Sequence, residues 1–240
     1  FAYDGDADRL IACDERGEVI DGDGILYALA CAAKAEGKLP RGLVVGTAYT
    51  NAGAERALAA RGIRLLRAPV GDKFVAARMR ESGAALGGEQ SGHILPACSP
   101  AGDGILASLF LAALAARGKL SALCALPRLA QVHLGVRLPP SACGASVRCT
   151  YGTEEKDGEL GAPSSFPNNN REEGEGAAEE PSQTTTAEAF AGIEAKTGAR
   201  LVVRPSGTEP VVRVFAEAEG EAAAPPGAGE AGGGGFGRRA

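Results

Sequence analysis

The chain has 240 residues, 45% of them hydrophobic and 23% charged, with a formal net charge of −5. That apolar content is enough for a core, the length suits one or two domains, and the acidic balance argues against a broad nucleic-acid-binding surface. No apolar run approaches the roughly 18 residues of a membrane span, no basic-then-apolar leader opens the sequence, and Cys13, Cys31, Cys98, Cys124, Cys143 and Cys149 form no C-x-x-C pair, a pattern of reduced thiols in the cytoplasm.

Residues 1–20 read as strand, acidic loop, strand, with a turn at Glu15-Arg16-Gly17-Glu18 before Val19-Ile20. In the loop, Asp4, Asp6 and Asp8 alternate with Gly5 and Ala7, and Arg9 closes the run. Three like charges this close repel one another unless a cation offsets them, and hard oxygen ligands suit magnesium or calcium. Two other readings compete. Acidic runs with glycine are often solvated turns. An EF-hand count puts Asp4, Asp6, Asp8 and Glu15 on ligand positions, but Arg9 falls where the sharp turn demands glycine, and the flanks are strand-like.

Asp21-Gly22-Asp23-Gly24 follows, with Asp23 suited to capping an apolar helix from Ile25 to about Glu36, ended by Gly37. Beyond it, Leu43–Gly46 predicts a buried strand, Ala52–Ala60 a helix, Ile63–Val70 a strand, Asp72–Glu81 a helix, Ala84–Gly88 a short strand and Ile105–Arg117 a strongly apolar helix. This alternation predicts an α/β domain over 21–130, a mostly parallel mixed sheet with helices on both faces. Ligands of such sheets gather at the carboxyl ends of strands, which is where Gly88-Glu89-Gln90-Ser91-Gly92-His93 falls.

A smaller α+β domain is expected over 131–219, built from a strand at Val132–Leu138, a helix at Ala187–Lys196, and strands at Arg200–Arg204 and Val211–Glu217. The polar stretch at about 140–186 is too poor in apolar residues to offset its ordering entropy and is expected to be a disordered insertion, as is the glycine-rich tail 220–240. Between the last two strands lies Arg204-Pro205-Ser206-Gly207-Thr208-Glu209-Pro210. Its hydroxyls, its bare amides around Gly207 and the flanking Arg204 and Arg213 are what a phosphate monoester requires. An ordinary proline-bounded hairpin with surface arginines is the alternative. Glu89 and Ser91 suit neighbouring sugar hydroxyls, each of which both donates and accepts. His133, inside an alternating strand, reads as structural.

Taken together, Asp4–Arg9, Gly88–His93 and Arg204–Pro210, in that order, resemble the magnesium, sugar-recognition and phosphate-binding loops of the α-D-phosphohexomutases. The resemblance covers about residues 1–138 and 187–219. It implies reversible phosphoryl transfer between the 6- and 1-positions of a hexose through a phosphoserine and a bisphosphorylated sugar. Mg2+ would be held by Asp4, Asp6 and Asp8, with a hexose 1,6-bisphosphate as activator and a phosphorylated hexose as the partner. It further implies stabilisation of the transferring group by Arg9, proton transfer by His93, sugar contacts from Glu89 and Ser91, and a phosphate cradle of Arg204, Ser206, Gly207, Thr208 and Arg213. Gln90 looks more like the branch acting on glucosamine phosphates than the one acting on mannose and glucose phosphates, where methionine is usual. Val70-Gly71-Asp72-Lys73 also resembles that branch, with Lys73 where arginine is more usual. The family's nucleophile lies in a Thr-Ala-Ser-His-Asn-Pro type motif that no segment here matches. Residues 1–20 are therefore expected to end a truncated preceding domain, and the chain to bind without catalysing. It is either the distal portion of a working mutase or a non-catalytic phosphosugar-binding remnant.

Overall fold

The computed structural model describes residues 1–99, 101–137, 150–151, 192–205 and 211–220. The chain divides into two compact units, Phe1–Val132 with Glu217–Ala240, and His133–Ala216. The polar stretch 152–186 and the tail 221–240 lie outside the described residues, as do Ser206, Gly207 and Thr208.

The first unit opens with a small antiparallel sheet of β1 (Ala2–Tyr3), β2 (Leu10–Cys13) and β3 (Val19–Ile20), in that order. Tyr3 pairs with Leu10, so the acidic loop is the connection of a hairpin. Helix α1 (Gly22–Ala35) leads through a 3-10 turn at Pro40–Gly42 to β4 (Leu43–Thr47), α2 (Ala52–Ala60), β5 (Arg64–Ala68), α3 (Asp72–Ser82), β6 (Leu86–Gly88), β7 (Ile94–Pro96), α4 (Gly104–Ala115) and α5 (Leu120–Leu123). The main sheet runs β5-β4-β6-β7, with β4 parallel to β5 and β6, and β7 antiparallel to β6. The fold is α/β, with a mixed sheet flanked by helices.

Every residue of β4 is buried, as a central strand covered on both faces must be. Its side chains alternate between two cores. Val44 joins Leu65, Leu86, Leu58 of α2 and Ile25, Leu26 and Leu29 of α1, whereas Leu43 and Val45 join Ala68 and Val75 and Met79 of α3. Leu10, Ala12 and Ile20 belong to the first of these cores, so β2, which leaves the acidic loop, and its neighbour β3 are anchored in the α/β layer. Leu10 is fully buried, and burying a leucine contributes about 2 kcal/mol.

A four-stranded sheet, β8-β11-β10-β9, is built from β8 (Ala130–Arg137), β9 (Thr150–Tyr151), β10 (Arg200–Pro205) and β11 (Val211–Ala218), with β10 antiparallel to β9. A short helix over 192–197 precedes β10; the rest of the helix expected from Ala187 lies outside the described residues. His133 packs edge-on against Phe215, ring centroids 5.0 Å apart, and the Arg200 guanidinium covers the same ring.

Three local expectations are corrected. Helix α1 begins at Gly22 rather than Ile25, and its cap is Asp21, whose carboxylate accepts from Gly24 N–H at 3.1 Å. Asp23 instead lies inside the first turn and is buried. β7 and α5 were not anticipated: Ile94-Leu95-Pro96 is too short to show a period, and Leu120–Leu123 is a single turn.

Candidate functional site

Ala7 takes a positive φ of 59°, unusual for a residue with a side chain, and its N–H donates to the Asp4 carbonyl at 3.2 Å. The chain thereby turns tightly enough for Arg9 N–H to donate to Asp4 Oδ1 at 3.2 Å. This turn gathers the three carboxylates. Asp4, Asp6 and Asp8 each offer an oxygen within 4.8 Å of the others, the one such group of three or more among the described residues. The Arg9 Nε lies 3.4 Å from Asp4 Oδ2 and 3.8 Å from Asp8 Oδ1.

Asp4 and Asp8 titrate in opposite directions. Loss of hydration pushes Asp4 up, but the Arg9 amide, the contact with Asp8 and the Arg9 charge outweigh it and hold Asp4 below its ordinary value. Asp8 is raised, first by loss of hydration and then by its hydrogen bond with Asp4 and repulsion from Asp4 and Asp6, while His93 pulls it down. Carboxylates crowded in this way are a donor set that suits a hard divalent cation. Asp8 Oδ1, buried and without a hydrogen-bond partner, is a ligand oxygen of the kind such a cation would use.

Asp8 also ties this loop to the one after β6. His93 Nδ1 lies 3.2 Å from Asp8 Oδ2, Arg9 and His93 form an antiparallel bridge, and Leu10 N–H donates to the Gly92 carbonyl at 2.9 Å. Gly92, at φ 94°, lets the two backbones approach this closely; a Cβ there would strike the Leu10 carbonyl. His93 is only 5% exposed, and its Nε2 has no partner and packs against Gly102, where a Cβ would overlap the ring. The imidazole is thus placed to hold Asp8, with little of it open to a reacting group.

The remaining loop residues are fixed from other sides. Glu89 Oε1 accepts from Gly71 N–H at 2.9 Å, joining this loop to the start of α3, where Lys73 is exposed with its Nζ 4.9 Å from the Phe74 ring centroid. The Gln90 carbonyl accepts from Gly22 N–H at 3.0 Å, which sets the first turn of α1 against the loop. Ser91 stands exposed at the tip. Asp4, Asp6, Asp8, Arg9, Glu89, Ser91, Lys73 and His93 therefore belong to one unit, with the acidic loop and the loop after β6 hydrogen-bonded to each other.

Two domain models of one family match this chain. Residues 21–129 match the description phosphoglucomutase/phosphomannomutase, alpha/beta/alpha domain III, and residues 168–225 match the C-terminal domain of the same family. The chain belongs to the phosphoglucomutase/phosphomannomutase family. It is 39% identical over 221 residues to the phosphoglucosamine mutase of Moorella thermoacetica, covering 90% of this chain and 42% of that protein. It is 41% identical over 221 residues to the phosphoglucosamine mutase of Maricaulis maris, covering 91% and 42%. The chain thus spans less than half the length of these curated relatives. Among solved structures it resembles a phosphoglucomutase/phosphomannomutase family protein from Burkholderia thailandensis, with a TM-score of 0.60, 23% identity and coverage of 92% of this chain and 43% of that one. It also resembles the Aspergillus fumigatus N-acetylphosphoglucosamine mutase in complex with GlcNAc-6P and magnesium, with a TM-score of 0.59, 22% identity and coverage of 91% and 45%.

In this member of the phosphoglucomutase/phosphomannomutase family the EF-hand reading fails on geometry, because Glu15 is spent on Ser121, accepting from both its N–H and its hydroxyl. Of the expected phosphate cradle, Arg204 is half-buried on β10 and Arg213 exposed on β11, in neighbouring strands of the second sheet. Residue-by-residue reading missed a polar network, partly buried, behind the Gly88–His93 loop. Asp23 accepts from Asn51 N–H at 2.9 Å; Asn51 caps α2 and exchanges hydrogen bonds with the Leu129 backbone; Arg128 grips Asp21 with two hydrogen bonds of 2.6 Å. Gln131 and Glu217 extend the network to Gln90. Two signals were available: Asn51 directly before a helix, and Glu217 on the same strand face as the fully buried Phe215.

Proposed function

We propose that this chain supplies the metal-binding, sugar-recognising and phosphate-binding parts of a phosphoglucosamine mutase, which interconverts glucosamine 6-phosphate and glucosamine 1-phosphate through a phosphoserine and a bisphosphorylated sugar. The observation that carries the reading is the joining of two loops: Asp8 and Arg9 of the acidic loop meet His93 of the sugar loop through a side-chain contact and a backbone bridge. A group held by the first is thereby presented to a ligand held by the second. The curated relatives, phosphoglucosamine mutases at about 40% identity, support the choice of amino sugar.

Each residue takes a role its position allows. Asp4, Asp6 and Asp8 would hold Mg2+, which supplies charge neutralisation to a transferring phosphoryl group. Arg9, beside them and exposed, adds a guanidinium donor to the same region. His93 anchors Asp8. Glu89 and Ser91 address the sugar hydroxyls, Lys73 adds a cation from the first turn of α3, and Arg204 and Arg213, with Ser206, Gly207 and Thr208, form the cradle for the non-reacting phosphate. Residues 21–130 form the sugar-binding domain and 131–219 the phosphate-binding domain. A hexose 1,6-bisphosphate is the activator, and the setting is the cytoplasm, in keeping with the free thiols of Cys13, Cys31, Cys98 and Cys124.

No segment of the sequence matches the family's serine motif, so these 240 residues bind phosphosugar without turning it over. Calorimetry with glucosamine, glucose and mannose 6-phosphates in Mg2+, paired with a coupled turnover assay containing the bisphosphate, tests both parts. Tightest binding of the amino sugar with no turnover is expected. Equal or absent binding overturns the substrate assignment, and turnover by the chain alone overturns the division between binding and catalysis.

A further inference from the structure

Behind the sugar loop, hydrogen-bond direction is transmitted through two carboxamides. Gln90 Nε2 donates to Gln131 Oε1 at 2.7 Å, and Gln131 Nε2 donates to Glu217 Oε2 at 2.6 Å and to the Tyr49 carbonyl at 3.3 Å. Glu217, 2% exposed, also accepts from Ala52 N–H at 3.1 Å in the first turn of α2. A carboxylate and a backbone carbonyl only accept. Turning the Gln131 amide over would set its oxygen against both of them, so its NH2 must face Glu217 and its oxygen must face Gln90. Gln90 must meet that oxygen with its own NH2. What it has left is its carbonyl oxygen, which is not among the buried unpartnered atoms.

Gln90 lies between Glu89 and Ser91, and its backbone carbonyl is pinned by Gly22 N–H at 3.0 Å, so the loop cannot move to relieve a reversed side chain. The one Gln90 side-chain atom that the relay leaves unused is therefore an acceptor by construction. Acceptors bind a cationic donor about twice as strongly as a neutral one. We propose that Gln131 and Glu217 are positioning residues that hold the Gln90 carboxamide oxygen outward, tuning this loop toward a sugar that carries an ammonium group over one that carries a hydroxyl in its place. The inference rests on the phosphosugar reading of this site and deepens it by naming what sets the preference.

Glu217→Gln is the decisive variant. It keeps the shape of the side chain but can present an NH2 to Gln131, which leaves the Tyr49 carbonyl as the one acceptor fixing the Gln131 amide, so the orientation passed on to Gln90 is no longer enforced. Gln131→Met breaks the relay at similar volume. Affinities for glucosamine 6-phosphate and glucose 6-phosphate are measured by calorimetry on the full chain, with melting temperature as the check on folding. Wild type favours the amino sugar; in each variant the ratio shrinks roughly three- to tenfold while glucose 6-phosphate affinity holds. A ratio unchanged in both folded variants overturns the relay, and so does an equal loss for both sugars, the mark of a purely structural role. Failure of wild type to bind either sugar overturns the phosphosugar reading itself, and the relay with it.

Discussion

Asp23→Asn removes a buried carboxyl whose ionised form is costly in the fold. Burial pushes the Asp23 carboxyl up from 3.8 to about 7; Asn51 N–H, Arg128 and Arg67 pull it down and Asp21 pushes it further up. One of its oxygens has a partner in Asn51, and the other, Oδ1, is buried without one. Well below 3.8 the group is protonated in both folded and unfolded chains. As pH rises the unfolded chain ionises first, while the folded chain keeps its proton until near 7, so stability is lost across that window and levels off above it. At 1.36 kcal/mol per unit, the loss between pH 5 and pH 8 is roughly 2–3 kcal/mol. Asparagine does not titrate, so the stability of Asp23→Asn relative to wild type should rise by that amount over the same interval. Urea denaturation of both proteins at pH 5, 6, 7 and 8 reads it directly, and comparing the pH dependence cancels whatever the new amide gains or loses locally. A difference that stays flat from pH 5 to 8 would refute the argument that Asp23 holds its proton in the fold.

Other outcomes follow from the loops. Mg2+ should bind the chain weakly, with a dissociation constant on the order of millimolar, because three carboxylates, two of them exposed, leave half of an octahedral shell to water. Asp6→Asn should weaken it roughly tenfold further by calorimetry, and tight binding insensitive to Asp6 would contradict the site. Gly102→Ala drives a Cβ into the His93 ring and should cost about 1–3 kcal/mol in thermal or chemical denaturation, whereas Gly5→Ala, where a Cβ meets nothing within 4 Å, should leave stability nearly unchanged. Arg204→Ala should lower affinity for glucosamine 6-phosphate at least tenfold, as loss of a charge-assisted contact does, and unchanged affinity would remove Arg204 from the phosphate cradle.

Elements defined by local signals were legible in the sequence. Helix α2 runs from Ala52 to Ala60 because Asn51 caps it and Gly62, at φ 65°, follows its end, and both residues can be read directly. Strand β4 shows itself as a short apolar run. The choice of cap for α1 was not legible: Asp21 and Asp23 are both followed by glycine, and what separates them is a contact between Asp23 and Asn51, 28 residues away, that buries one and leaves the other to cap. The joining of Arg9 to His93 is also long-range. Each loop announced its own chemistry through its residue types, but nothing in either shows that the two backbones meet; only the family resemblance brought them together. Glu217 could have been flagged by parity with Phe215, since a charge on a buried strand face needs partners, yet the identity of those partners comes from the tertiary fold.

Joined by the Asp8–His93 contact and the Arg9–His93 bridge, the acidic loop and the loop after β6 should act as a single site. Backbone amide NMR of the full chain, titrated separately with Mg2+ and with glucosamine 6-phosphate, tests it most directly. Either ligand should shift amides in both segments, Asp4–Leu10 and Glu89–His93, and the sugar should bind more tightly once Mg2+ is present. Mg2+ shifts confined to Asp4–Leu10, with the sugar leaving both segments unmoved, would contradict it.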